Sequence, residues 1–297
     1  MPHKVLEDYK QNALFMEVEG VKIAYWMNDW QEDKPQLSFL HGFPSASWDW
    51  HNQWRAFDGK FNLLAFDFLG FGLSDKPRNI KYSLKNQADL QVRLWRHLRV
   101  SKSHLVAHDY GVSVAQELLS REHQLEGSIQ LESILFLNGG LFSESHRPLL
   151  TQKVLASAIG GFVAKLIGKP KLKKTFQQIF GPNSQPSQED IDVLWSLLEM
   201  HNGTHVMPRI LGYLKEREVF RDRWVEAMTA NQHKIGFVNG IHDPISGLHM
   251  LERFKSLLPN SVNMPINVGH YPQIEAPDII THAISTFVDS QGRSLHT

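Results

Sequence analysis

Short, continuously apolar runs recur along this chain, each closed by turn residues, and stretches of helical periodicity separate them. Gln36–Leu40 and Asn62–Phe66 are such runs, the pattern of strands covered on both faces. Between the second run and the next, Leu84, Ala88, Val92, Trp95 and Leu98 recur at steps of four and three, with Lys85, Asp89, Arg93 and Arg96 on other faces. Residues 104–107 form another buried run leading into a helical pattern over 112–119, and 134–137 a further strand ending in Asn138-Gly139-Gly140. Ahead of these, 14–18 and 21–26 flank Glu19-Gly20 as a hairpin. Strands alternating with helices imply parallel pairing and right-handed crossovers, hence an open α/β sheet with ligands at the carboxyl ends of its strands.

The rhythm changes from Leu141 to about Asn231, where helices and loops replace strands; it resumes with strands at 234–238 and 262–266 and a closing helix near 278–287. The expected organisation is a sheet domain over 1–140 and 232–297, interrupted by a helical segment over 141–231.

Thirty-one basic and 31 acidic residues leave no net charge, so nothing draws the molecule as a whole to nucleic acid or an anionic membrane, and a small molecule is the expected partner. The absence of Cys excludes disulfides, thiolate metal sites and a Cys nucleophile. Residues 1–11 are polar and charged without the apolar stretch of a signal peptide. The longest uncharged apolar stretch, 154–164, is broken by Ser157, Gly160 and Gly161 and falls short of the ~20 residues a spanning helix needs. A cytoplasmic enzyme is the expectation. Ligand spacing for a metal is lacking, and Gly70-Phe-Gly72 lacks the third Gly of a dinucleotide loop, so no cofactor and no metal are expected. Lys165, Lys169, Lys171, Lys173 and Lys174 cluster in the helical segment; a solvated face is the simplest reading, an anionic surface or lipid headgroup the alternative, and no role is assigned.

Chemistry concentrates at Leu105-Val-Ala-His-Asp-Tyr-Gly111, where a strand stops at Asp109 and a helix starts at once, with Ala107 and Gly111 two positions either side. Small neighbours let strand and helix approach closely enough for a tight turn to push the apex side chain into a site. An Asp before a helix is otherwise an N-cap. His41-Gly42-Phe43-Pro44 follows another buried strand, and the Phe43 and Tyr110 N–H groups are candidates for an oxyanion hole. Asp243 and His270 follow the last two strands, with gaps of 134 and 27 residues, giving the order nucleophile, acid, base. His108 and His242 adjoin the carboxylates and compete with His270 for the base; His41 reads as a residue that shapes its own loop.

Together with Phe66-Asp-Phe-Leu-Gly-Phe-Gly-Leu-Ser-Asp-Lys-Pro77, these blocks resemble the α/β-hydrolase superfamily, in its aspartate-nucleophile branch of epoxide hydrolases and haloalkane dehalogenases. The resemblance covers nearly the whole chain. It implies an α/β-hydrolase fold, a mostly parallel central sheet with helices on both faces and a helical lid over 141–231. It also implies Asp109 as nucleophile, His270 as base and Asp243 as its partner. An Asp nucleophile suits attack on alkyl carbon, because the resulting ester can be hydrolysed. Dehalogenases of this branch generally place Trp after the nucleophile, where this chain has Tyr110, and many have Asn where it has Phe43. Epoxide hydrolases use lid Tyr residues as proton donors; of six Tyr only Tyr213 lies in the lid, and Trp195, Trp224 and His146 are further groups able to donate. Hydrolysis of small apolar electrophiles, epoxides ahead of haloalkanes, is the expected activity, and a non-catalytic ligand-binding protein on the same fold is the alternative.

Overall fold

The computed structural model describes residues 2–125 and 129–293. Eight strands form one sheet: β1 (Leu14–Val18), β2 (Val21–Met27), β3 (Gln36–Leu40), β4 (Asn62–Phe66), β5 (Lys102–Ala107), β6 (Gln130–Phe136), β7 (Ile235–Gly240) and β8 (Val262–Ile266). Their order across the sheet is β1-β2-β4-β3-β5-β6-β7-β8, antiparallel only at β1/β2 and β2/β4. Chain order reverses at β3, so the β3 and β5 ends flank the switch point where open α/β sheets bind ligands.

Alternate residues of the central strands enter two separate cores, which is why those strands read as unbroken apolar runs. Phe39, Ala65, Val106 and Leu135 face one core, closed by Ile280, Ile284 and Phe287 of the Pro277–Arg293 helix. Leu40, Phe66, Ala107 and Phe136 face the other, with Trp95 of the Leu84–His97 helix and Leu118 of the Tyr110–Ser120 helix. The closing helix is longer than expected because Pro277 starts it one residue before Asp278, and it continues past Phe287 to Arg293.

An unanticipated helix, Pro2–Gln11, precedes β1. Tyr9 pins it: its ring stacks on Trp26 at 4.1 Å and its hydroxyl donates to the buried Asp67 carboxylate at 2.8 Å. Between β6 and β7 the chain is helical, ending in the Tyr213–Ala230 helix, which packs on the Tyr110–Ser120 helix directly behind the elbow. No helix among the described residues is long and apolar enough to cross a membrane.

Candidate active site

Gly111 is forced by the elbow: a Cβ there would lie 2.5 Å from the Leu40 carbonyl oxygen, so only glycine lets the helix start against β3. Asp109 sits at the apex with φ 44° and ψ −101°, a strained backbone for a non-glycine residue. Although it occupies the N-cap position, its side chain makes no capping bond. Its Oδ2 instead accepts from Phe43 N–H at 2.9 Å. Oδ1 lies 3.8 Å from His270 Nε2 and 3.8 Å from the Arg217 guanidinium. Burial pushes the Asp109 carboxyl up, but His270, Arg217 and His108 outweigh it and hold the pKa below the ordinary value.

Asp243 and His270 meet across two loops: His270 Nδ1 donates to Asp243 Oδ2 at 2.7 Å. That carboxylate also accepts from Ser246 N–H, Ser246 Oγ, Asn138 Nδ2 and Ile245 N–H. Against the cost of burial, His270 and these donors lower the Asp243 pKa to about 2. Burial disfavours the His270 cation, yet Asp243 and Asp109 together raise its pKa to about 9. The resting imidazole is therefore protonated between two carboxylates near neutral pH.

The competing histidines separate by geometry. His108 is buried and its Nε2 donates to the His270 carbonyl oxygen at 2.7 Å, which ties the elbow to the loop of His270. Exposed His242 points to solvent. His41 Nδ1 donates to the Gly42 carbonyl at 2.9 Å and its Nε2 accepts from Phe68 N–H, so it holds its own loop as the sequence suggests.

Of the residues read from sequence, Asp109, Phe43, Asp243 and His270 are brought into contact. Tyr110 begins the following helix, fully buried, and contacts Tyr213 edge-on with ring centroids 5.1 Å apart. Trp224 is a correction as a donor candidate: its Nε1 donates to buried Glu117 at 2.7 Å and is used in docking the helix. Arg217 was missed. Its Nε donates to Ser113 Oγ at 2.8 Å and its Nη2 to the Asp109 carbonyl oxygen at 2.9 Å, while its guanidinium lies 4.4 Å over the Tyr213 ring. Gly140 makes room for it, since a Cβ there would lie 2.4 Å from Nη1.

Among the polar atoms around this centre that are buried without a hydrogen-bond partner among the described residues are Tyr213 Oη, Arg217 Nη1, both ring nitrogens of His146, Tyr110 Oη and His108 Nδ1. Burial raises the Tyr213 pKa, and the Asp109 charge adds to it, so the phenol stays protonated. Burial lowers that of His146 to about 3, with Arg217 adding to the effect. An apolar cavity of about 240 Å³ opens over Phe43 and His270, walled by Leu155, Leu172, Phe176, Ile179 and Met207 of the helical segment. This is smaller than ordinary drug-sized sites and suits a small apolar ligand. A larger groove of about 860 Å³ lies beside Tyr9, Trp48 and Trp54 and contains none of these residues.

The α/β-hydrolase fold profile matches residues 35–277, which takes in the elbow, the helical segment and both later loops. The chain belongs to the α/β-hydrolase family. It is similar to the mesoderm-specific transcript protein of Mus musculus, 35% identical over 295 residues, covering 96% of this chain and 88% of the mouse protein. It is also similar to LipZ of Mycobacterium tuberculosis, named as a hydrolase, at 36% identity over 262 residues, 86% of this chain and 90% of LipZ. Among solved structures, a loop variant of the haloalkane dehalogenase DbeA from Bradyrhizobium elkanii superposes with a TM-score of 0.78. That match covers 96% of this hydrolase and 99% of DbeA at 18% identity, a likeness of fold.

Proposed function

We propose that this hydrolase opens small apolar epoxides by forming an ester on Asp109 and then hydrolysing it with His270. The observation that carries the reading is the disposition of the Asp109 carboxylate: one oxygen is held by a backbone donor, the other is turned toward His270, and neither caps the helix.

Oδ1, ionised near neutral pH, attacks a ring carbon; that carbon's bond to the ring oxygen breaks, and the developing alkoxide takes a proton from the Tyr213 phenol or a second lid donor. His146, whose ring nitrogens are buried and unpartnered among the described residues, is a candidate for that second donor. Esterification removes the Asp109 charge, one of the influences that raises His270, so the imidazolium becomes more acidic and gives up its proton, which restores the phenol spent in ring opening. Neutral His270 then takes a proton from water, hydroxide adds to the ester carbonyl, and the oxyanion forms at Oδ2 between the Phe43 and Tyr110 N–H groups. Collapse expels the alkoxide, which takes the proton from His270, leaving a diol and the Asp109 carboxylic acid, whose proton then passes to the neutral His270 and restores the resting carboxylate and imidazolium. Asp243 holds the ring orientation and stabilises the transient cation. The helical segment acts as a lid that keeps this centre dry.

A second reading rests on Arg217: its guanidinium, 3.8 Å from the nucleophile, would favour an anionic leaving group such as halide. A panel of short aliphatic epoxides and haloalkanes, assayed separately for diol and halide, distinguishes the two, with Asp109→Ala as background. Diol formation dependent on Asp109 is the expected result. Halide release without diol would move the assignment to dehalogenation, and turnover that survives Asp109→Ala would sink both.

A further inference from the structure

Residues 145–188 contain seven basic side chains, Arg147, Lys153, Lys165, Lys169, Lys171, Lys173 and Lys174, and no acidic one, in a chain whose total charge is zero. The same stretch carries large apolar side chains turned to solvent: Leu150 is 76% exposed, Ile159 62%, Phe162 68% and Leu166 70%. Apart from the adjacent Leu14 and Phe15, the other exposed large apolar residues, such as Val219, Leu248 and Ile279, are far apart in sequence. Single exposed apolar residues need no explanation, but four within seventeen positions form a patch that does.

The patch is continuous with the cavity above His270. Leu150 both lines that cavity and is largely exposed, which places it at the mouth. Val163 and Ile167 face the cavity while their neighbours Phe162 and Leu166 face outward, and Lys171 stands on the cavity wall with an exposed side chain. Lys169 is paired with Asp192 at 2.7 Å and Lys173 donates to Gln188 at 2.7 Å, whereas Lys153, Lys165 and Lys174 are exposed.

Apolar side chains ringed by lysines are the chemistry of a segment lying in the interface of an anionic bilayer, the apolar tips among the acyl chains and the ammonium groups at the phosphates. We infer that the Leu150–Leu166 edge of the helical segment docks on an anionic lipid surface and opens the cavity toward it. If the reading of the active site holds, its substrate reaches the cavity from the lipid phase. Docking itself does not depend on that reading and is measured without any substrate.

The test uses the full chain and vesicles of phosphatidylcholine with or without about one-third phosphatidylglycerol, in a flotation assay at low and high salt. The protein should float with the anionic vesicles at low salt and be released as salt rises. Phe162→Ser with Leu166→Ser, and separately Lys165→Gln with Lys174→Gln, should each weaken binding about tenfold while circular dichroism and thermal midpoint stay unchanged. Absence of flotation with anionic vesicles, or flotation untouched by both double variants, would overturn the inference. So would a dimer, seen by sedimentation, that the apolar double variant converts to monomer without any effect on lipid binding, because a second copy would then be what covers the patch.

Discussion

Asp243 and Tyr213 are both buried, yet five hydrogen bonds reach the carboxylate of the first and none, among the described residues, reaches the phenol of the second. The contrast extends to the regions they come from. In the sheet-borne half the reacting groups are held, Asp109 by Phe43, His270 by Asp243 and the His270 loop by His108, although His108 Nδ1 and Tyr110 Oη are themselves unpartnered among the described residues. The half supplied by the segment between β6 and β7 offers open valences at Tyr213, Arg217 and His146. An unpartnered buried polar group costs roughly 1–3 kcal/mol, which folding tolerates where a ligand or water completes the bond. On the proposed reading, the sheet carries machinery common to any substrate, and the helical segment carries what distinguishes one substrate from another.

Variants can break that division. Asp109→Ala should lower turnover of every substrate by ~10⁴-fold or more, because it removes the proposed nucleophile. Residual activity near wild type on any substrate, in steady-state assays, would show that the sheet half is not common machinery. Tyr213→Phe should be selective: about 100-fold slower ring opening of epoxides, with haloalkane reactivity nearly unchanged, measured as pre-steady-state ester formation. Equal losses for both substrate classes would place Tyr213 with the structural residues.

The pH profile sharpens the comparison within the sheet half. In the resting site both carboxylates raise His270 to about 9. Once Asp109 is esterified its charge is gone while those of Asp243 and Glu275 remain, so the ascending limb of ester hydrolysis should fall below pH 9. Because hydrolysis needs neutral His270, activity is lost on the acid side of this limb. A limb at or above 9 would mean that Asp109 does not act on the imidazole. The smallest expected effect is that of Asn138→Ala. Its amide donates to Asp243 Oδ2 at 3.0 Å and to the Gly240 carbonyl at 2.9 Å, so its loss should cost about 1–3 kcal/mol in urea unfolding, with a modest fall in kcat.

The same division decides how much was legible in the sequence. The central strands β3, β4 and β5 read as short apolar runs because both faces of the sheet are covered there, whereas β1 and β2 at the edge were legible as alternating segments around the Glu19-Gly20 turn. The elbow was legible because Gly111 and Ala107 are required by close packing, and the Asp243 and His270 loops because they follow strands. Arg217 was not. The Tyr213–Ala230 helix has eight charged residues among eighteen, and nothing in such a pattern shows which arginine turns inward. Only the facing helix decides it, through Ser113 Oγ and the Asp109 carbonyl. Trp224 misled for a related reason: an indole in that helix is a possible donor to the site until buried Glu117 is seen to take it. The Pro2–Gln11 helix was equally hidden, since its anchor is Tyr9 on Trp26 and Asp67, partners remote in sequence.

The claim beneath this account is that Asp109 forms a covalent bond to the substrate. Intact-protein and peptide mass spectrometry of the His270→Gln variant, incubated with the epoxide panel, tests it most directly. The expected result is a stable adduct, one substrate mass, on the peptide containing Asp109 and absent when Asp109→Ala is combined with the same variant. An unmodified Asp109 peptide with every epoxide that the wild-type enzyme consumes would contradict it.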